Sequence, residues 1–361
     1  MITTLKCCIG LVVAAALLGP RAATLRADGS DLSASKDVVF PPRQLKDWAE
    51  TKLAVDRGLQ YLRSKQQDSS GAVGGRYMVA TTSLAGLAVL GAGYTPADPR
   101  FGGILRGGLR YLKQQSARTS GFITESEDES RMHGHCYAIL FLAELLGSLP
   151  PEDEREVSGL IRRGVRVIEL AQSRRGGWYY GADNRRDEDE ASVTVCALQA
   201  LRAARNVGFA VDSKRIQDAV RYVEDCQTPD GSFCYTYDAR TRTTFALTVA
   251  ALSTLNAAGV YRSPKLQPGL DFVTRELESA RSYWKAVEEE YAFYGNLYAA
   301  QTLHQEGGSL WPKWYSSVRA HLFSRQRVDG SWESRFGDEY ATAVALLILE
   351  VPLGYLPIFQ R

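Results

Sequence analysis

A turn phrase that returns along the chain constrains this fold most. "CQTPDGSF" (226–233), "RQRVDGSW" (325–332) and "AQSRRGGW" (171–178) all read Gln-x3-Gly-x-aromatic, headed by Gln227, Gln326 and Gln172. "QDSSGAV" (67–73), headed by Gln67, and "QSARTSGFI" (115–123), headed by Gln115, are looser copies. Their spacing sets a period of about 50 residues, and the long interval from Gln227 to Gln326 leaves room for one degraded copy. Self-similarity of this length replaces the two-domain expectation that 361 residues would otherwise raise.

Each turn stands between two kinds of helical pattern. Upstream lie "RGLQYL" (57–62), "GGLRYL" (107–112), "RGVRVI" (163–168), "DAVRYV" (218–223) and "PGLDFV" (268–273), with apolar residues at helical spacing and polar ones between. That is the signature of a helix with one buried face. Downstream come more apolar segments rich in small residues, such as "VATTSLAGLAVLGAG" (79–93) and "FALTVAALSTLNAAG" (245–259), with Gly suited to a helix C-cap. The first kind predicts outer helices and the second inner ones. In the turn, Gln can bond the backbone of the following loop, Gly can take positive φ, and the aromatic covers the joint. About six such hairpins closed on themselves make an all-α α/α toroid over residues 51–361, with a cavity lined by the inner helices. Residues 28–50, with Pro41 and Pro42, read as an extended lead-in.

Composition narrows the partners. A net charge of +2, from 43 basic and 41 acidic residues, gives no electrostatic case for nucleic acid. The N-terminal "MITTLKCCIGLVVAAALLGPRAATLRA" (1–27) has a short apolar core and a small-residue tail, so it predicts a signal peptide, export to the periplasm or beyond, and no membrane span after processing. Past it stand Cys136, Cys196, Cys226 and Cys234, without a C-x-x-C pair. Only Cys226 and Cys234, flanking one turn, are near enough in sequence to pair; ordinary small core residues are the simpler reading.

The turn phrase resembles the repeat of the squalene cyclase and protein prenyltransferase superfamily, whose members are α/α toroids. The resemblance covers nearly all the chain after about residue 50. The segment "DEDEASVTVCALQAL" (187–201), at the start of the third inner helix, is similar to the acidic D-x-D-D motif and following T-A pair of class II terpene cyclases. Asp187, Asp189 and Glu190 fall on the acidic positions, Ala191 and Ser192 on the pair. The resemblance implies that Asp189 protonates a carbon–carbon double bond of an apolar, isoprenoid-like ligand, an isomerase chemistry without a cofactor. Such an acid must keep its proton, which burial and the like charges of Asp187 and Glu190 would favour. The cation formed calls for aromatic walls, and Tyr77, Tyr137, Trp178, Phe245, Tyr291, Phe293, Tyr294, Tyr298, Phe336 and Tyr340 stand near inner-helix starts. This chain departs from the cyclase pattern by Glu190 in place of Asp and by having one toroid where cyclases have two. The plainer reading is that the acids complement the dipole of the helix they precede, with Arg185 and Arg186 neutralising two of them.

Other constellations carry less. His133 and Cys136 could share a helix face and meet a carboxylate such as Asp189 at a zinc ion, but the D-x-C pair of zinc-binding prenyltransferase subunits has no counterpart, so no metal is favoured. No helical second subunit can be inferred. Ser83 and Ser192 lack a G-x-S-x-G setting. The acidic loops 125–130 and 150–156 read as solvated connectors, and "PLGYLPIFQR" (352–361) as a strap closing the ring. Besides the cyclase-like reading, an exported toroid that binds a lipid, peptide or sugar without turnover, and a polysaccharide-acting toroid with carboxylates drawn from Asp187, Asp189, Glu190 and Asp338, fit the same architecture.

Overall fold

The computed structural model describes residues 42–125, 131–183, 187–240, 242–260 and 263–357. The leader read at 1–27, Arg185 and Arg186 lie outside the described residues. From Lys46 on the chain forms one compact unit. Its outer helices are α1 (Pro42–Ser64), α3 (Gly102–Arg118), α5 (Pro151–Ala171), α7 (Ser213–Asp225), α9 (Leu266–Ser279) and α11 (Leu310–Arg325). The inner ones are α2 (Met78–Gly91), α4 (Arg131–Leu145), α6 (Ala191–Asn206), α8 (Phe245–Ala257), α10 (Ala292–Glu306) and α12 (Asp338–Glu350). Each inner helix packs on the next, and α12 packs back on α2, so the ring is closed. The expected toroid is therefore present. Helix α1 begins at Pro42, inside the stretch expected to be extended, because proline suits the first turn of a helix.

Sequence patterning explains the two layers. Helix α8 is buried at every position from Phe245 to Asn256, as an element covered on all sides must be. Helix α7 buries only Ile216, Ala219, Tyr222 and Val223, one stripe at helical spacing.

The turn phrase does more than pin its own hairpin. Gln172 Nε2 donates to Gly176 O at 2.8 Å within the turn and also to Arg215 O at 2.8 Å on the next outer helix. Gln227 does the same to Gly231 O and Lys265 O, and Gln326 to Gly330 O and Ala54 O. The last of these joins the sixth hairpin to the first. In the first hairpin the bonds to Gly71 O and Ile104 O come from Gln66, one residue before the Gln67 that the spacing picks out. Gly176 (φ +103°) and Gly231 (φ +95°) sit against the neighbouring helix so closely that an added Cβ would lie 2.3 Å from Asp218 O and 2.1 Å from Pro268 O. Only glycine fits both the conformation and the approach.

Beneath each turn the aromatic is sealed in. Trp178 and Trp332 are buried, donating Nε1–H to Ile168 O at 2.7 Å and Leu322 O at 2.8 Å. Their backbone N–H groups donate to the hydroxyls of Thr194 and Thr342, near the start of the following inner helix. Val73 and Phe233 bond Thr82 and Thr248 in the same way. In the second hairpin His135 takes this place: Ile123 N donates to its Nδ1 at 3.0 Å, so Nε2 carries the hydrogen and donates to Gly164 O at 3.0 Å. The fifth hairpin has no such turn. Residues 280–291 replace it, with one-turn 3-10 helices at Trp284–Ala286 and Glu289–Tyr291.

After α12 the chain makes a one-turn 3-10 helix, Val351–Leu353, and Leu356 packs into the core beside Gly91. The strap thus folds back as expected as far as residue 357; residues 358–361 lie outside the described residues.

Candidate functional site

The starts of the inner helices face a common chamber of about 320 Å3. Tyrosines dominate its wall: Tyr77, Tyr137, Tyr291, Tyr294 and Tyr340, joined by Tyr180 and Tyr235. Between them stand His133, Ser192, Thr244, Arg242, Arg335 and Phe336. Tyr77, whose ring is part of this wall, holds a left-handed backbone (φ +49°) at the N-cap of α2, a strain of order 1–3 kcal/mol. The space among α6, α8 and α10 is filled, not hollow: Tyr298 donates to Gln199 Oε1, Gln199 to Gln301 Oε1, and Ser253 to the same Gln301 oxygen, all buried.

The acidic stretch divides at this wall. Glu190 is the N-cap of α6 in extended conformation (φ −153°), paired across an antiparallel bridge with Trp178. Residues in extended chain alternate sides, so its neighbour points elsewhere. Glu190 is 0% exposed and accepts hydrogen bonds from Val193 N at 2.7 Å, Ser192 N at 3.2 Å and Ser192 Oγ at 2.6 Å. Tyr235 also donates to it. Burial pushes its carboxyl above the usual carboxylate range, against the pull of these hydrogen bonds. Ser192 and Tyr235 belong to the chamber wall, so Glu190 stands one side chain behind it.

Asp189 does not reach the chamber wall. Its Oδ2 accepts from Ser173 Oγ at 2.9 Å under the turn, and its Cβ lies beside Gly177. Asp187 accepts from Arg174 N at 2.7 Å and faces the Arg174 side chain, with Glu188 exposed beside it. Asp338 pairs with Arg327 at 2.7 Å. Of the acids singled out from the sequence, only Glu190 adjoins the chamber.

The remaining candidates divide too. Tyr77, Tyr137, Tyr291, Tyr294, Tyr340 and Phe336 line the chamber; Phe293 lies in the cleft beside it. Trp178 is under its turn, and Phe245 and Tyr298 are in the core. His133 Nε2 lies 3.1 Å from Ser192 Oγ, and since that hydroxyl is donated to Glu190, the ring nitrogen is the donor. Burial holds the His133 pKa down to about 4. Cys136 is buried in the core with its thiol pushed up, and among the described residues no three His, Cys, Asp or Glu side chains gather as a metal set. Cys226 and Cys234 are buried free thiols, as the core reading of the cysteines expects.

The sequence pattern does not single out Tyr180 and Tyr235, and it offers Ser192 only as part of the T-A pair and as a serine without a G-x-S-x-G setting. A signal exists for the tyrosines: each stands two residues after the buried aromatic of its turn, Trp178 or Phe233. For Ser192 the signal is its place two residues beyond the Glu190 cap.

A second cavity adjoins the first. A cleft of about 1160 Å3 runs from the segment 284–294 to α11 and the sixth turn, and shares Tyr291, Tyr294, Arg335, Phe336 and Tyr340 with the chamber. Among the described residues no helix is long and apolar enough to cross a membrane.

No protein-family model matches this chain, and no curated protein matches it. Solved structures do. An α-1,6-mannanase from Salegentibacter sp. HEL1_6 aligns with a TM-score of 0.61 at 10% identity, covering 83% of this chain and 98% of that one. An inactive variant of that enzyme, with two consecutive aspartates changed to asparagine and α-1,6-mannotriose bound, gives 0.60 at 9% identity over the same shares. A protein from Actinoplanes gives 0.55 at 14% identity, covering 86% and 99%. These mannanases are α/α toroid glycoside hydrolases, and they overturn the resemblance to squalene cyclases and prenyltransferases. With it go the terpene cyclase, prenyltransferase and isomerase assignments. The Gln-Gly-aromatic turn is a way of joining hairpins side by side and carries no chemistry of its own. At these identities the likeness is one of fold: the chain is similar to a ring of helical hairpins that elsewhere serves mannan hydrolysis.

Proposed function

We propose that the protein acts on a polysaccharide, with a sugar unit held in the tyrosine-lined chamber. The carrying observation is the wall itself. Seven tyrosines border a volume of about 320 Å3, and a buried carboxyl, Glu190, is hydrogen-bonded to that wall through Ser192 and Tyr235. A sugar ring offers C–H faces that stack on aromatic rings and hydroxyls that bond to phenol, imidazole and guanidinium groups, so amphipathic walls suit it better than a purely apolar lining would. The mannanase fold supports this reading. Export, as the leader predicts, would bring the protein to polysaccharide outside the cytoplasm.

In this reading Glu190 is the proton donor. Burial favours its protonated form, and Ser192 and Tyr235 connect it to the chamber. Glycoside hydrolysis needs a second carboxylate roughly 5–9.5 Å from the first. The exposed Glu288, Glu289 and Glu290 border the adjoining cleft. One observation favours a second reading, binding without turnover: among the described residues no acid lines the chamber.

The test is a panel of α-1,6-mannan, other neutral polysaccharides and an anionic one, with new reducing ends and binding both measured. Wild type should release reducing ends from one of them, and Glu190→Gln should bind it while losing at least 100-fold in rate. Binding without new reducing ends would establish the second reading. No binding to any polysaccharide would refute both.

A further inference from the structure

Among the described residues two of the six joints of the ring lack a glutamine tie, and the cleft beside the chamber lies at one of them. At four joints a glutamine ties its turn to the next outer helix, through Gln66, Gln172, Gln227 and Gln326. Between the fifth and sixth hairpins the segment 280–291 stands in place of that turn, and it is here that the cleft opens, bordered by Trp284, Phe293 and His321. The indole of Trp284 stacks on His321 (ring centroids 4.7 Å, 16° between planes) and meets Phe293 edge-on at 5.2 Å. It is only partly buried, so the ring is braced from within the protein while its uncovered part borders the cleft.

The cleft lining balances its charges, with Lys285, Arg325, Arg327 and Arg335 against Glu288, Glu289, Glu290 and Glu333. Arg335 pairs with Glu290, Arg327 with Glu333 and Asp338, and Glu288 accepts from Phe245 N at 3.1 Å. An ionic ligand would have to break these contacts; an uncharged one need not. Tyr291, Tyr294, Arg335, Phe336 and Tyr340 border both cavities, so the chamber and the cleft lie side by side, within the reach of one chain of several sugars.

We propose that the gap left by the degraded fifth turn is an extended binding subsite, in which Trp284 stacks a sugar of an uncharged linear glycan whose other units occupy the chamber. The inference rests on the polysaccharide reading above and adds to it the class of substrate: a neutral polymer, bound over several units, in preference to a terminal sugar or an anionic chain.

The experiment measures calorimetric affinity for α-1,6-linked mannose oligomers of two to six units, or for the corresponding ladder of whichever polysaccharide the panel above identifies. Affinity should rise about tenfold or more between two and four units, and Trp284→Ala should cost the longer oligomers about tenfold while leaving the dimer unchanged, the scale of one aromatic stacking contact. Trp284→Tyr should restore most of it, which separates a lost platform from a damaged fold. Affinity independent of length, or an equal loss for dimer and hexamer in a variant with unchanged circular dichroism, overturns the subsite and leaves the chamber reading intact. Stronger binding of an anionic ladder overturns the neutral class. Failure of every oligomer to bind wild type refutes instead the polysaccharide reading on which the inference rests.

Discussion

His135→Thr isolates one titrating group in the joint of the second hairpin. Threonine is what the first, third, fourth and sixth hairpins use there, through Thr82, Thr194, Thr248 and Thr342, so the new hydroxyl can still accept from Ile123 N. Two things are lost: the bond from Nε2 to Gly164 O, and the ring's packing, which includes an edge contact with Phe122 at 5.1 Å. Together they should cost about 2–4 kcal/mol at neutral pH. Burial holds the wild-type imidazole down to about 4 in the folded protein, against an ordinary value near 6.5. Between these values the unfolded chain takes up a proton that the folded one refuses. The stability due to this group is therefore complete above about pH 6.5 and drains away as pH falls toward 4, by about 1.4 kcal/mol per unit and about 3 kcal/mol in all. His133, Glu190 and Glu350 also titrate abnormally, but they are common to both proteins and cancel in the difference. Urea unfolding of both proteins from pH 4.5 to 7.5 should show a stability gap that narrows steadily with acid. A gap of constant size across that range would refute the buried neutral imidazole.

Two further substitutions probe the frame. Gly231→Ala should lower stability by at least about 3 kcal/mol in thermal unfolding, because the new methyl meets Pro268 O at 2.1 Å and the backbone is at φ +95°; a melting temperature within a degree of wild type would contradict the joint. Glu350 is 3% exposed, neither carboxyl oxygen has a hydrogen-bond partner among the described residues, and burial raises its pKa well above the usual range. A group raised in this way loses stability as pH climbs through its folded pKa, so Glu350→Gln should be more stable than wild type at pH 8 and indistinguishable from it at pH 4.5, as read by denaturant midpoints.

The ring was legible because its grammar is local. Glutamine, glycine and aromatic stand within seven residues of one another in the strict copies, so three clear repeats reveal the hairpins and their layers. The second bond of each glutamine, to a carbonyl about 40 residues further on in Gln172 and Gln227, left no mark in the spacing. The Gln67 register failed for a related reason: spacing to Gly71 favours it, whereas reach to Ile104 O selects Gln66. At the acidic stretch the sequence showed the charge but not its direction. One step along an extended backbone decides whether a carboxylate meets the chamber or Ser173, and the capping role of Glu190 would have signalled which. Trp178 was misplaced because an aromatic near an inner helix can face the centre or seal a joint, and the indole N–H bond to Ile168 O fixes the second.

The contact of Gln326 with Ala54 has a mechanical consequence. In an open array of repeats the outermost units have one neighbour, and melting starts from them. Here the sixth unit leans on the first, so no unit is terminal and fraying has no privileged place to begin. The least-tied seams are then the two without a glutamine clasp among the described residues, after the second and fifth hairpins, and the latter is also where the cleft opens.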